Sequence, residues 1–323
     1  MDEAVSEVAA GIYQIRLPLP FALRSVNTYL LRDGTGWTLV DAGLNHAPSR
    51  ALWEAALGQL GVAPASVQRI VLTHAHPDHY GAAGWLQERS GAPVLLSPGE
   101  QAFARRMWRG EGAGERAIVA LFSRHGLPGA LAAQVADDIA RLRAQTQPAP
   151  EWDTIDAGDT LLAGGRRFEA IATPGHSEGH LAFFCADERL MLCGDTVLTK
   201  ITPNIGRWPE GPPDPLADFL TTLERLERLP VDLALPGHGP LIRNFAERLG
   251  ELRAHHKARL DQMEQIARPG ATAFAVCSSV FQVDQLSTHQ LRFALAETLA
   301  HLEHLVGVGR LERVEDDPVR YKG

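Results

Sequence analysis

Three imidazoles and a carboxylate crowd into Thr73-His74-Ala75-His76-Pro77-Asp78-His79, straight after an apolar run. These are metal-ligating side chains, and one turn of chain cannot aim all of them at a single cation. It can aim two at each of two cations, so further ligands must come from distant segments. Three segments offer them: His176 in Thr173-Pro174-Gly175-His176, Asp195 in Cys193-Gly194-Asp195, and His238 in Pro236-Gly237-His238-Gly239. Each follows a short apolar stretch that reads as a strand, and each has a flanking glycine that permits a tight backbone. In α/β sheets, sites gather where loops converge at the carboxyl ends of strands. Two cations held close together need a bridging carboxylate, and Asp195 is the acid so placed. Imidazole nitrogen and carboxylate oxygen without thiolate suit zinc, iron or manganese. Of the thirteen histidines, those at 255, 256, 289, 301 and 304 lie on helical patterns and read as solvated.

The elements that must position these groups follow from the apolar pattern. Ile12 to Leu17, Asn27 to Leu31 and Trp37 to Val40 read as strands, with Asp33-Gly34 as a hairpin turn. Pro48 to Leu60 reads as a helix with Ala51, Leu52, Ala55 and Leu60 on one side, closed by Gly61. Val67 to Thr73 reads as a strand buried on both faces, followed by a helix from Tyr80 to Arg89 and a strand from Pro93 to Ser97. This alternation is that of an α/β layered domain. Residues 99–147 then carry helix signals alone, cut by glycine and proline. Strands resume at Asp159 to Leu162, Arg167 to Ala172, Leu181 to Cys185 and Arg189 to Leu192, followed by a helix from Pro215 to Leu229 and a strand from Asp232 to Leu235. Beyond these lie helices Phe245 to Ala267, Thr272 to Val280 and Ser287 to Val306. A charged tail, Arg310 to Lys322, is suited to a two-stranded wing.

Taken together, the motifs resemble the metallo-β-lactamase superfamily, in particular its glyoxalase-II-like dinuclear set. The resemblance implies a four-layer αββα sandwich over residues 1–245, with residues 99–147 as a helical insertion or lid. A mainly helical, winged-helix-like region occupies 246–323. It implies that His74, His76 and His176 bind a first metal, that Asp78, His79 and His238 bind a second, and that Asp195 bridges them. Asp41 matches the family's first motif as a supporting acid, and His180 matches a supporting histidine rather than a ligand. Antibiotic-hydrolysing members commonly differ at the bridging position, and flavin-linked diiron members carry glutamate where this chain has His76. Nucleases with a large inserted domain need far more chain than the 42 residues between Asp195 and His238. The expectation is a hydrolase with two divalent ions per chain, zinc first and iron or manganese as alternatives. A bridging hydroxide would cleave a small ester, thioester or lactone, with Asp78 orienting it and carrying protons.

Substrate choice should lie with the insertion, through Trp108 and Phe122 beside Phe103, Met107 and Leu121, and with Lys200 and Asn204 after the bridging acid. The rival enzyme reading is an endoribonuclease or phosphodiesterase, since winged-helix appendages accompany that branch; a non-catalytic metal-binding regulator is the alternative from another class. Composition weighs against nucleic acid. The chain of 323 residues carries 31 basic and 39 acidic side chains, a net charge of −8. Residues 252–323 hold nine basic and nine acidic side chains, and Glu315, Asp316 and Asp317 stand in the wing. The apolar surplus at Leu291, Phe293, Leu295, Leu299, Leu302 and Leu305 reads as packing against the catalytic part or a second copy. Three cysteines, no membrane-length apolar run and no secretory pattern after Met1, Asp2 and Glu3 point to the cytoplasm and a small-molecule partner.

Overall fold

The computed structural model describes residues 4–110 and 112–323; Glu111 and the opening Met1, Asp2 and Glu3, where the expectation of an unexported N-terminus begins, lie outside the described residues. One sheet takes its seven strands in chain order: β1 (Val5–Ala9), β2 (Ile12–Pro18), β3 (Ser25–Asp33), β4 (Gly36–Val40), β5 (Val67–Val71), β6 (Val94–Leu96) and β7 (Trp152–Thr154). The first four form an antiparallel meander, and β4 through β7 are parallel. The second sheet contains β8 (Thr160–Ala163), β9 (Arg166–Ala172), β10 (Leu181–Cys185), β11 (Leu190–Gly194) and β12 (Leu233–Pro236). Its spatial order is β12-β11-β10-β9-β8. Helices α1 (Ala47–Gln59), α2 (Pro77–Tyr80) and α3 (Ala83–Ser90) belong to the first half. Between β6 and β7 the chain makes a helical excursion through α4 (Pro98–Ala104), a π-helical turn at Arg105–Arg109, α5 (Ala113–Arg124) and α6 (Gly129–Ala144). After α7 (Pro215–Leu226) and β12 come α8 (Phe245–Ala267), α9 (Ala273–Phe281), α10 (Thr288–Gly307) and a hairpin of β13 (Glu312–Val314) and β14 (Arg320–Lys322).

The period-two alternation of the strands creates four layers. Tyr29 and Leu31 of β3 meet Phe183 of β10 and Leu192 of β11 between the sheets. Their neighbours Val26 and Leu30 turn outward and pack with Trp53 of α1 and Leu86 of α3. On the opposite face, Ala182, Phe184 and Met191 join Phe219 and Leu223 of α7. The fold is the αββα sandwich, and strands covered on both faces explain the nearly continuous apolar runs.

Some elements differ from expectation. The buried face of α1 is Ser49, Trp53, Ala56 and Leu57, not the face through Ala51 and Ala55. Trp53 decides the rotation, because its indole N–H donates to Ala42 O at 2.8 Å. The helix expected from Tyr80 breaks into α2 and α3, since Ala82 N–H donates to Gly43 O rather than up the helix. In β5, Gln68 is exposed and Arg69 half-buried, so only the later residues are covered on both faces. β1 and β7 went unanticipated; the first mixes exposed and buried residues and the second has three residues. His256 and His301, expected in solvent, are buried and face each other at 3.1 Å.

The C-terminal elements do not stand apart. Leu291, Leu295, Leu299, Leu302 and Leu305 of α10 share one apolar cluster with Ile118, Phe122, Val135 and Ile139 of the insertion and with α7. Tyr321 of β14 pins the hairpin to the same body: its hydroxyl donates to Glu303 at 2.6 Å and its ring stacks on His125. The core therefore crosses residue 245 without a break. Among the described residues, no helix is long and apolar enough to cross a membrane. Leu299→Ala should lower unfolding stability by about 2–5 kcal/mol, the cost of a buried leucine cavity. Fluorescence and circular dichroism should report one coincident denaturant transition; two separate transitions would show that the C-terminal helices form an independent body.

Candidate metal centre

The loops after β4, β5, β9, β11 and β12 leave the same rim of the sandwich, and the seven candidate ligands meet there. Three groups have ligand atoms mutually within 4.8 Å: His74, His76 and His176; His74, His79 and Asp195; and Asp78, His79 and His238. Asp195 stands between the first and last of these. Its Oδ2 is 3.6 Å from His176 Nε2 and 3.3 Å from His238 Nε2, and its Oδ1 is 3.4 Å from His79 Nε2. Asp78 Oδ2 is 3.2 Å from His238 Nε2. Tetrahedral ligands about 2.1 Å from a cation lie about 3.4 Å from one another, so these spacings suit donors around metal ions.

Hydrogen bonding makes the same point independently. His79 Nε2, His176 Nε2, His238 Nε2 and Asp195 Oδ1 are buried without a hydrogen-bond partner among the described residues. Each ring is held by its other nitrogen. His176 Nδ1 lies 2.8 Å from Asn204 O, His238 Nδ1 lies 2.8 Å from Ser25 O, and His79 Nδ1 lies 2.8 Å from Asp41 Oδ2. A carbonyl or carboxylate can only accept, so each Nδ1 donates to it and each Nε2 is the nitrogen left facing the centre. His74 is set through Thr73, whose hydroxyl donates to Asp41 and so accepts from His74 Nδ1 at 3.0 Å. The donor set and its orphaned atoms fit divalent cations.

Asp41 and His180 sit behind this layer. Asp41 adopts a left-handed backbone, φ 61°, and also accepts the Thr73 N–H at 2.8 Å. His180 Nε2 accepts the Asp195 N–H at 3.2 Å, while its Nδ1 donates to Thr173 at 2.7 Å. It therefore positions the Asp195 loop. Glycine is required beside two of the acceptors. A Cβ on Gly194, at φ +47°, would lie 2.6 Å from His180 Nε2, and one on Gly237 would run into the Asp195 carboxylate and the His79 ring. Glu100, which sequence reasoning missed, clips two ligand loops together. Buried in α4, it accepts from Ala75 N at 2.7 Å, Gly179 N at 2.9 Å and the Ser177 hydroxyl. Its only sequence signal is the Ser97-x-x-Glu100 spacing of a helix start, and Ser97 indeed caps α4.

Charge divides the centre. Burial, reinforced by the neighbouring imidazoles, holds His74 and His76 well below the usual histidine range. Burial works the same way on His238, but Asp195 and Asp78 overcome it and raise that ring to about 10. His79 is likewise raised against burial by Asp195, Asp41 and Asp78. Cations entering the centre must displace protons there.

The centre forms the floor of a cavity of about 670 Å³ with mainly apolar walls, including Phe103, Trp108, Leu198, Ile201, Trp208 and Phe293. Trp108 lines it and is fixed to the metal loop, its indole N–H donating to Ala75 O at 2.7 Å. Asn204 also lines it, although its amide is engaged by Phe293 O and Glu297. Phe122 and Lys200 are corrected: Phe122 is fully buried behind Trp208, and Lys200 is exposed outside the lining. Residues of α10, among them Gln290, Arg292 and Glu297, close one wall, which no local motif announced.

Against known proteins, residues 22–238 match the family described as Metallo-beta-lactamase superfamily, and residues 260–323 match the Metallo-beta-lactamase-like, C-terminal domain. A metallo-beta-lactamase family protein from Thermus thermophilus is 35% identical, with TM-score 0.89 over 98% of this chain and 99% of that one. The protein named Probable metallo-hydrolase YqjP of Bacillus subtilis is 26% identical over 91% of this chain and 92% of its own length. A Hydroxyacylglutathione hydrolase of Acidiphilium cryptum is 33% identical over 68% of this chain and 88% of its own length. An Atrochrysone carboxyl ACP thioesterase of Aspergillus fumigatus is 25% identical over 72% of this chain, which spans only 56% of that protein. The family model spans most of the sequence and the fold is shared along nearly the whole length of the Thermus protein, so this chain belongs to the metallo-beta-lactamase superfamily.

Proposed function

We propose that the chain is a hydrolase that uses two divalent cations, zinc first, to cleave a small ester, thioester or lactone. One observation carries the reading: imidazole nitrogens and a carboxylate oxygen left without hydrogen-bond partners converge at the floor of a mainly apolar cavity. Relatives described as a hydroxyacylglutathione hydrolase and an acyl carrier protein thioesterase support it. His74, His76 and His176 would hold one cation, Asp78, His79 and His238 the other, with Asp195 shared. Such cations supply Lewis acidity, which makes water a hydroxide source near neutral pH and polarises a carbonyl oxygen.

The protein's own side chains do the rest. Asp195 is held from behind by His180, so its two oxygens stay aimed at the two ligand sets. Asp78 is the more exposed of the two acids, 17% against 8%, and lines the cavity. It is placed to take a proton from the attacking water and to return it to the leaving group. Trp108 and its neighbours exclude bulk water and offer an apolar surface to the acyl part. In the hairpin, Glu315 pairs with Arg124 and Arg313 and Glu312 pairs with Lys322, so acids offset most of the basic side chains that a phosphate chain would need there.

Metal-loaded protein should turn over a short acyl thioester or a lactone and leave a phosphodiester and single-stranded RNA intact, with His76→Ala inactive on all four. Efficient RNA cleavage lost in His76→Ala would reject the small-molecule assignment. Metal analysis separates the roles of the ligands: Asp195→Ala should fall toward zero bound ions, and His238→Ala should fall from about two ions per chain toward one. Asp41→Asn leaves every proposed ligand in place but loosens the His79 ring, so metal affinity should drop about 10–100-fold. Unchanged metal content in Asp195→Ala would reject the shared site.

A further inference from the structure

The hydrolytic scheme leaves one cluster unused. Asp138 of α6 and His289 and Arg292 of α10 meet at the cavity wall, the latter two lining the cavity itself. Arg292 is 5% exposed, and its guanidinium lies against the faces of Phe293, 4.5 Å from the centroid, and Trp208, 5.8 Å away. For a buried cation it is poorly provided for. Among the described residues its Nε has no hydrogen-bond partner and stands 3.6 Å from Asp138 Oδ2, while Nη2 reaches His289 Nδ1 at 3.4 Å. Asp138 is also divided, with His289 at 3.3 Å and Arg141 at 3.8 Å. Burial consequently lowers the Arg292 guanidinium to about 10, still charged near neutral pH.

A buried charge is ordinarily paired and fully hydrogen-bonded, since leaving it short of acceptors is costly. The missing acceptor has room to enter from the cavity that Arg292 lines. A planar guanidinium takes a carboxylate or phosphate through two parallel hydrogen bonds, a geometry that a neutral carbonyl cannot offer. Asp78 of the centre and His289 and Arg292 of this wall line the same cavity. One compact molecule can therefore engage both.

We propose that Arg292 is a specificity residue that recognises an anionic group, of carboxylate or phosphate type, on a substrate whose apolar body fills the cavity and whose scissile acyl bond meets the metal centre. This rests on the hydrolase reading, and assigns the C-terminal helix α10 a direct part in choosing the substrate. Glu297 on the same wall is raised by burial to about 7, so it does not set a full negative charge against such a group under mildly acidic conditions.

The test uses full-length, metal-loaded protein and a matched pair of ligands that no hydrolase can cleave: octanone, and the same methyl ketone with its far methyl replaced by carboxylate. Binding is read from the fluorescence of Trp108 and Trp208 in the cavity wall, so a failed hydrolase assignment does not disable it. Wild type should bind the carboxylate ligand about tenfold or more tightly than octanone, the scale of a charge-assisted pair. Arg292→Met should abolish that ratio, and Arg292→Lys, which keeps the charge and much of the stem, should retain part of it. The same ligand ending in phosphate distinguishes the two anion types. No carboxylate or phosphate preference in wild type overturns the proposal. So does a preference that survives in folded Arg292→Met, because the metal centre would then be holding the anion. Should Arg292→Met fail to fold, Arg292→Gln serves in its place and is read by the same ratio.

Discussion

Everything in this protein answers to one constraint: several imidazole nitrogens and a carboxylate oxygen must be kept without partners at one buried point. A buried polar atom left unsatisfied costs about 1–3 kcal/mol, so such atoms do not collect by accident. The protein holds them by satisfying the opposite end of each ring. Ser25 O, Asn204 O and the Asp41 carboxylate take the protons of His238, His176 and His79. Those acceptors come from the first sheet, the loop after β11 and the end of β4. The tautomers are thus set by the tertiary fold, and the sandwich is the device that brings these acceptors to one rim.

The same requirement explains where the backbone is unusual. Asp41 sits at φ 61°, a conformation that a short polar side chain tolerates better than most. From there it serves Thr73, and through it His74, while also holding His79. Strain of this kind persists where surrounding structure over-determines it, and Leu39 and Val40 before it are buried. Glu100 extends the logic across the centre. It joins the loop carrying His74 and His76 to the loop carrying His176, so the helical insertion begins with a residue that stiffens the site.

How much of this was legible in the sequence depends on how local the cause is. Strands covered on both faces, such as Leu181–Cys185, announce themselves through apolar residues, and the ligand loops through spacing and glycine. The long helix Phe245–Ala267 is equally plain. The rotation of α1 was not, because Trp53 is fixed by a carbonyl of the preceding loop rather than by helical periodicity. Nor was the burial of His256 and His301, whose surroundings come from α7, α8 and α10 packing together. Phe122 and Lys200 failed as pocket residues for a related reason. Residue type and nearness in sequence to the ligands say nothing about which way a side chain leaves its element.

The cavity wall was the least legible part, and its origin shows why. Arg292 and Glu297 lie far along the chain from every ligand, on a helix whose leucines look like simple packing. They reach the cavity because α10 is enclosed on its other sides by α6, α7, α8 and α9, which belong to one core with the outer face of the second sheet. The ligands, by contrast, depend on strand ends and on the acceptors behind them. The candidate ligands and this cavity wall are therefore placed by different parts of one body. On its cavity face Glu297 accepts from the Asn204 amide, whose carbonyl in turn holds the His176 ring, while its leucine faces anchor the core that carries the wall. On this arrangement the C-terminal region shapes the cavity above the candidate metal centre even though it contributes none of the proposed ligands.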